Sequence, residues 1–136
     1  MKIYKSKIKR LAGTDYYEVY SKAKFLYKTI LSKTKRRPYV RSAYFNKEKV
    51  FLDYFWSHIG MKNQGDRFRR LKQYACAIDL IRHSKIKPTS KLNSDKPSEI
   101  LHRFSGINGS RDNFFVQITE NIKNKEKSFM SVFPDD

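Results

Sequence analysis

"ILHRFSGINGSRDNFFVQITENIKNKEKSFMSVFP", residues 100–134, is the stretch that decides the fold of this chain. Apolar and polar residues alternate along most of it, and successive side chains of a strand point to opposite faces of a sheet. The segments INGSRD and IKNKEK supply the Asn, Gly and Lys residues that are typical of tight turns. The stretch therefore predicts three antiparallel strands, over about 99–106, 113–121 and 127–133.

The two faces of this predicted meander differ in chemistry. We expect helices to cover the face that carries His102, Phe114, Val116, Ile118, Met130 and Val132. Strict alternation then places a mixed polar and aromatic set on the other face: Arg103, Ser105, Phe115, Gln117, Thr119, Phe129, Ser131 and Phe133. Aromatic rings beside hydrogen-bonding groups can stack on and read single-stranded bases. An ordinary half-exposed sheet is the alternative interpretation.

The residues before the meander carry helical patterns. Apolar spacing of three and four predicts helices over about 15–34, 47–59 and 67–84, capped respectively by Thr14 or Asp15, by Asn46 and by Asp66. Pro38 ends the first helix, so RRPYVRSAYF is expected to be extended or looped. Residues 85–98, with two prolines and three serines, are interpreted as a linker.

These elements predict one α+β domain over residues 1–136. Its helical part covers about 14–84, its linker 85–98 and its sheet 99–134. In this arrangement the N-terminal helices pack on one face of the C-terminal antiparallel meander. The first ten residues are a candidate edge strand.

The charge of the chain points to a polyanionic partner. Thirty Lys and Arg residues face 13 Asp and Glu residues, which gives a net charge of +17. An excess of this size costs self-repulsion in the compact state, so we expect nucleic acid to offset it, with an acidic protein as the second choice and a lipid surface as the third.

The sequence also bounds the location of the protein. It has no apolar run long enough to span a membrane, and its first residues lack the apolar core of a signal peptide. Its single cysteine, Cys76, lies in the apolar run YACAIDLI and is expected to be an inert buried thiol. The expected location is therefore a reducing cytoplasm.

Three blocks in the last third of the chain, HRF-G, VQI-E and SVFP, carry a family resemblance. With RRPYVRSAYF, KVFLDYFWSHI and RLKQYACAIDLI before them, they resemble the phage-associated barnase–EndoU–colicin–RelE-like proteins of mobile elements. The resemblance implies a barnase-like or RelE-like fold and a metal-independent ribonuclease that acts as a toxin or effector of a mobile element. It also implies an acidic antitoxin or immunity protein as partner.

Metal-free RNA cleavage uses the 2′-OH as nucleophile and needs a proton acceptor, a cation for the phosphate and a proton donor for the leaving oxygen. Arg103 is the expected phosphate ligand, because a guanidinium stays charged and can bind a phosphate through two donors. His58 or His102 is the expected acid or base, although His58 near a helix end also suits capping and His102 also suits a structural role. The candidate catalytic set is Arg103, His102, His58, Gln117 and Ser131.

A second set of residues is expected to bind nucleic acid without taking part in chemistry: Arg41, Tyr44, Lys49, Thr119, Arg67 and Arg70. Arg67 and Arg70, with Arg69 and Lys72, crowd the first turn of the predicted third helix, where positive charge opposes the helix dipole, so a functional reason is expected for them. No metal site or cofactor is expected, because the sequence has no Cys-X-X-Cys, no close histidine pair and no acidic cluster.

The sequence thus favours a metal-independent ribonuclease of a mobile element. The alternative is a non-catalytic RNA-binding or DNA-binding protein of a phage or mobile element with the same fold. A module that binds an acidic protein is a further alternative.

Overall fold

The computed structural model describes residues 2–135. In this part of the chain, seven strands and four helices follow one another in this order: β1 (Tyr4–Lys5), α1 (Tyr16–Ser32), β2 (Tyr39–Ser42), β3 (Glu48–Phe51), α2 (Asp53–Ile59), α3 (Gln64–Lys72), α4 (Tyr74–His83), β4 (Thr89–Leu92), β5 (Glu99–Ile107), β6 (Asn113–Asn121) and β7 (Lys127–Pro134).

The predicted fold class is wrong about the size and strand directions of the sheet. All seven strands join one sheet in the order β1-β5-β6-β7-β3-β2, with β4 also paired to β5. β1 runs parallel to β5 and β3 runs parallel to β7, whereas the other four pairings are antiparallel. The architecture is therefore a mixed sheet with four helices, and not an antiparallel meander with helices packed on one face.

The segment predicted as the second helix divides into a strand and a shorter helix. Asn46 and Lys47 have positive φ angles of 58° and 65°, so they form a tight turn that folds β3 back onto β2. Val50 in β3 lies opposite Val40 in β2, and both side chains are buried. Asn46 is therefore a turn residue and not a helix cap, and α2 begins only at Asp53.

The segment predicted as the third helix holds two helices that meet at Gln73. The N-cap of the first is Asn63, whose side-chain oxygen accepts the backbone N–H of Asp66 at 2.8 Å. Because α3 starts earlier than expected and ends at Lys72, Arg70 and its basic neighbours lie in its last turn. Positive charge is favourable there, so the predicted conflict with the helix dipole is wrong.

Other parts of the prediction agree with the structure. Helix α1 begins after Asp15, whose carboxylate accepts the backbone N–H of Glu18 at 3.0 Å. The three C-terminal strands lie where alternation placed them, and β1 supplies the candidate N-terminal edge strand. The predicted linker, however, contains β4, which pairs with the first half of β5.

The core lies against the face of the sheet that carries Val116 and Ile118, which we call the inner face. There the ring of Phe129 stacks on Phe55 of α2, with centroids 4.8 Å apart and planes 4° apart. Tyr74 of α4 also contacts Phe129, at 6.1 Å between centroids. All five side chains are buried, so this layer joins the sheet to two helices. The opposite face is called the outer face.

A bulge changes which side chains of β7 face outward. Gln117 lies opposite Ser131, but the next residue of β6, Ile118, lies opposite Phe129, so Met130 is an extra residue in β7. Phe129 therefore lies in the core, and the Met130 sulfur accepts a hydrogen bond from the Gln117 amide at 3.6 Å. The prediction that Phe129 faces outward and Met130 inward is wrong.

Substitutions at these two positions test the register directly. We expect Phe129→Ala to lower the free energy of unfolding by about 3–5 kcal/mol, because it empties a fully buried ring site. Met130→Ala, at a half-buried position, should cost about 1 kcal/mol or less. Urea unfolding of both variants gives the comparison, and a larger loss for Met130→Ala would contradict the bulge.

Candidate nucleic-acid interface

Four neighbouring strands bring polar side chains into one row on the outer face. Thr89 lies opposite Arg103, Arg103 opposite Gln117, and Gln117 opposite Ser131. Neighbouring strands are about 4.8 Å apart, so the row is about 14 Å long. Arg103 is exposed, and Gln117 and Ser131 are half-buried. Three of the predicted catalytic residues, Arg103, Gln117 and Ser131, are thus neighbours on one face.

The next row on the same face is aromatic. Ser105 lies opposite Phe115, and Phe115 lies opposite Phe133, with the two ring centroids 5.4 Å apart. The Arg103 guanidinium carbon is 5.4 Å from the centroid of Phe115 and 5.2 Å from that of Phe133. This contact places the positive charge over two ring faces, where the ring quadrupole attracts it.

Arg70 of α3 also contacts Ser131 and Phe133. Its Nη1 donates a hydrogen bond to the Ser131 hydroxyl oxygen, and its guanidinium carbon is 5.5 Å from the centroid of Phe133. Its Nε donates to Asp66 at 3.0 Å, which fixes the side chain along the helix. The two rows and this arginine form one surface, which we call the arginine–aromatic face: Thr89, Arg103, Ser105, Phe115, Gln117, Ser131, Phe133 and Arg70.

A shallow depression borders the polar row. It has a volume of about 170 Å³ and is lined by Thr89, Lys91, Leu101, Arg103 and Gln117. The Lys91 side chain is exposed, so a cation stands at the rim. The depression can hold a flat ring or a phosphate group between a lysine, an arginine and an amide.

Thr119 differs from its neighbours in the predicted set. It lies in the next row of the outer face, between Leu101 and Ser128, but only 4% of it is exposed. Little of its side chain is therefore available to a ligand.

Strands β2 and β3 carry a second group of cations and rings. Arg41 lies opposite Lys49, and both approach the ring of Tyr39, at 5.5 Å for the guanidinium carbon and 4.7 Å for the ammonium nitrogen. These side chains alternate with the buried Val40 and Val50, so they lie on the side of the strands away from the core. Two of the predicted binding residues therefore share a surface.

Tyr44 and Arg67, both predicted to bind nucleic acid, have other contacts. The ring of Tyr44 packs against Phe104, with centroids 5.6 Å apart, beside the core. Arg67 Nη1 donates to the Tyr16 hydroxyl at 3.4 Å, and its Nε is buried without a hydrogen-bond partner. Arg67 thus connects α3 to α1.

His102 lies on the inner face, as alternation predicted. Its Nδ1 is 2.7 Å from the Ser90 hydroxyl and its Nε2 is 2.8 Å from the Glu120 carboxylate, and only 8% of the residue is exposed. Lys127 lies 3.7 Å from the same carboxylate and donates to Glu48 at 2.7 Å. This network links strands β4, β5, β6, β7 and β3 and satisfies the hydrogen-bonding groups of the imidazole.

The other histidines also lie away from Arg103. His58, near the end of α2, has its ring 5.6 Å from that of Tyr54. His83 Nδ1 is 3.0 Å from the carboxylate of Asp79. Within residues 2–135, no hydrogen bond or ring contact joins any of the three histidines to the arginine–aromatic face.

The single cysteine is buried, as predicted. Its thiol lies 3.6 Å from the carbonyl oxygen of Ile8. Burial is the main reason that the pKa of Cys76 rises to about 11. The thiol is therefore protonated at neutral pH and is a poor nucleophile.

Sequence reasoning missed four residues of these sites: Thr89, Lys91, Ser90 and Glu120. The first three lie in TSKL, whose polar character and flanking prolines resembled a linker. Its pairing partners in β5 lie beyond the predicted linker, from Ile100 to Arg103, so no local pattern indicates a strand. Glu120 is the glutamate of the VQI-E block, but its contact with His102 depends on the register of β5 and β6, which the sequence does not show.

A comparison with family models, with curated proteins and with solved structures found no match to this chain. The resemblance to the barnase–EndoU–colicin–RelE-like family therefore stays a prediction. Among the described residues, no three His, Cys, Asp or Glu side chains are grouped so that they could hold a metal ion. In the same part of the chain, every helix is too short or too polar to cross a membrane.

A double-mutant cycle tests the histidine network. We expect His102→Gln to lower the free energy of unfolding by about 1–3 kcal/mol, because it leaves buried polar groups without partners. Ser90→Ala should cost clearly less in the His102→Gln background than in the wild type, since both remove the same hydrogen bond. Chemical unfolding of the four proteins measures this coupling. Additive costs would contradict a hydrogen bond between the two side chains.

Proposed function

We propose that this protein binds single-stranded RNA on the arginine–aromatic face. The observation that carries the proposal is the position of Phe133, whose ring centroid lies 5.2 Å from the guanidinium carbon of Arg103 and 5.5 Å from that of Arg70, beside a row of hydrogen-bonding side chains. Rings of this kind stack on bases, and arginines bind the phosphates between them. The net charge of +17 adds a general attraction to the polyanion.

The shape of the surface supports a single strand over a duplex. Bases can stack on a protein ring only when they are not stacked within a helix. The polar row offers a guanidinium, an amide and two hydroxyl groups, which can pair with the base edges that a duplex would hide. Arg41 and Lys49, together with Tyr39, extend the same type of surface to the other edge of the sheet.

Metal-independent RNA cleavage is the second candidate. Arg70 and Arg103 could together stabilise the extra negative charge that a phosphate gains in the transition state, with the Ser131 hydroxyl beside them. Cleavage also needs a group to accept the proton of the 2′-OH, and His102 faces the opposite side of the sheet. The geometry therefore supports binding better than cleavage.

An acidic protein would suit the same surface. If the protein is a toxin of a mobile element, an acidic antitoxin or immunity protein would cover the arginine–aromatic face and compete with RNA. This partner and a cytoplasmic location remain proposals.

A charge-matched pair of variants separates the contribution of the arginine–aromatic face to RNA affinity from the contribution of net charge. We expect Arg103→Gln to weaken the binding of a short unstructured RNA by about tenfold or more, because it removes a phosphate ligand and the cation over two rings. Arg82→Gln, which removes the same charge from the exposed side of α4, should change the affinity by less than about threefold. Fluorescence anisotropy at about 150 mM salt measures both.

Equal losses in the two variants would show that only net charge matters, and would contradict the assigned face. Thermal unfolding of both proteins controls for folding, since each arginine is exposed and its loss should leave stability nearly unchanged.

Incubation of the protein with RNA in EDTA tests binding against cleavage. We expect the RNA to be retained and to stay intact, because no histidine lies beside Arg103. Products that end in a 2′,3′-cyclic phosphate, and that disappear with Arg103→Gln, would instead establish cleavage as the function.

A further inference from the structure

A cationic cleft lies at one end of the arginine–aromatic face. Its volume is about 370 Å³, and four basic side chains line it: Arg10, Arg69, Lys72 and Arg111. Pro134, which follows Phe133 in the chain, and Asn113, at the start of β6, are also part of its lining. The cleft and the face are therefore adjacent, through both β7 and α3.

The acidic group inside the cleft is already paired. Asp112 accepts two hydrogen bonds from Arg10 Nη1, both at 2.9 Å, and further ones from Asn108 and Gln73. Burial alone would raise the pKa of Asp112, but these hydrogen bonds outweigh it and hold the pKa below its usual value. Asp112 is thus ionised and neutralised by its partners. Arg69 lies 3.6 Å from Asp66, and Asp135 is the second acidic residue of the lining, so the cleft keeps a small excess of positive charge, that of Lys72 and Arg111 over Asp135.

The turn that joins β5 to β6 places Arg111 beside the cleft. Arg111 has a φ angle of 67°, in the left-handed region, within the turn that joins β5 to β6. Its backbone N–H donates to the Asn108 carbonyl oxygen at 3.0 Å, so the turn fixes this conformation. Glycine or asparagine would adopt it at lower cost than arginine.

We propose that this cleft binds the terminal phosphate monoester of an RNA strand whose bases lie on the arginine–aromatic face. The inference rests on the proposed function and adds recognition of a strand end to it. A terminal phosphate carries about 1.5–2 negative charges at pH 7 and has three acceptor oxygens, whereas an internal diester carries a single charge. A cleft lined by several arginine and lysine side chains therefore favours the monoester.

Three versions of one short RNA test the inference: one with a 5′-phosphate, one with a 3′-phosphate and one with hydroxyl groups at both ends. One phosphorylated form should bind the wild-type protein about tenfold more tightly than the hydroxyl form. Arg111→Gly should remove this preference, leave binding of the hydroxyl form within about twofold, and not lower the melting temperature. Arg103→Gln should weaken all three forms and keep the preference.

Equal binding of the three RNAs would overturn the cleft inference while the proposed function stands. Retention of the preference in Arg111→Gly would overturn it as well. If no RNA binds, the proposed function fails, and inorganic phosphate then tests the cleft alone. Phosphate should raise the melting temperature of the wild type more than that of Arg111→Gly, and an equal shift would overturn the inference.

Discussion

The extra residue in β7 is the constraint on which the rest of the structure depends. Because Met130 shifts the register between β6 and β7, Phe129 turns inward and stacks on Phe55, while Ser131 stays on the outer face beside Gln117. Without the bulge, either Phe129 would leave the core or Ser131 would leave the outer face, since successive side chains of a strand point to opposite faces. The same feature therefore completes the core and the outer polar row.

Alternation along β5 divides the chemistry of the site in the same way. His102 and Arg103 are adjacent in sequence but lie on opposite faces. The histidine lies in a closed network with Ser90 and Glu120, whereas the arginine is exposed over two rings. The structural residue and the proposed ligand-binding residue are thus neighbours in the sequence that lie on opposite faces of the sheet. This separation is the main reason that the geometry favours RNA binding over histidine-dependent cleavage.

The sequence predicts those parts of the fold that have a local signature. Helix α1 and strands β5, β6 and β7 have clear periodicity and recognisable ends, and all four are present. Strands β2, β3 and β4 have only four residues each, which is too short for periodicity to separate strand from helix or loop. The parallel pairings of β1 with β5 and of β3 with β7 join distant segments, so no local pattern can indicate them. The fold class was wrong for this reason.

The candidate site was predictable to a similar extent. Arg103, Gln117 and Ser131 were grouped correctly, because antiparallel strands of known alternation place them on one face. The contact of Arg70 with Ser131 depends on where α3 begins and packs, and the place of Thr89 depends on an unexpected strand. Both are consequences of tertiary structure. The bulge at Met130 is likewise set by packing, since Phe129 is large enough to fill a core position that Met130 would otherwise occupy.

Mapping the RNA contact by NMR tests the central claim most directly. Backbone amide signals of the isotope-labelled protein would be followed as a short single-stranded RNA is added at about 150 mM salt. The account predicts that the largest shifts fall on the rows of β4 to β7 that contain Arg103, Gln117 and Phe133, with small shifts on the lysine-rich side of α1. Shifts confined to α1, with these rows unchanged, would contradict it.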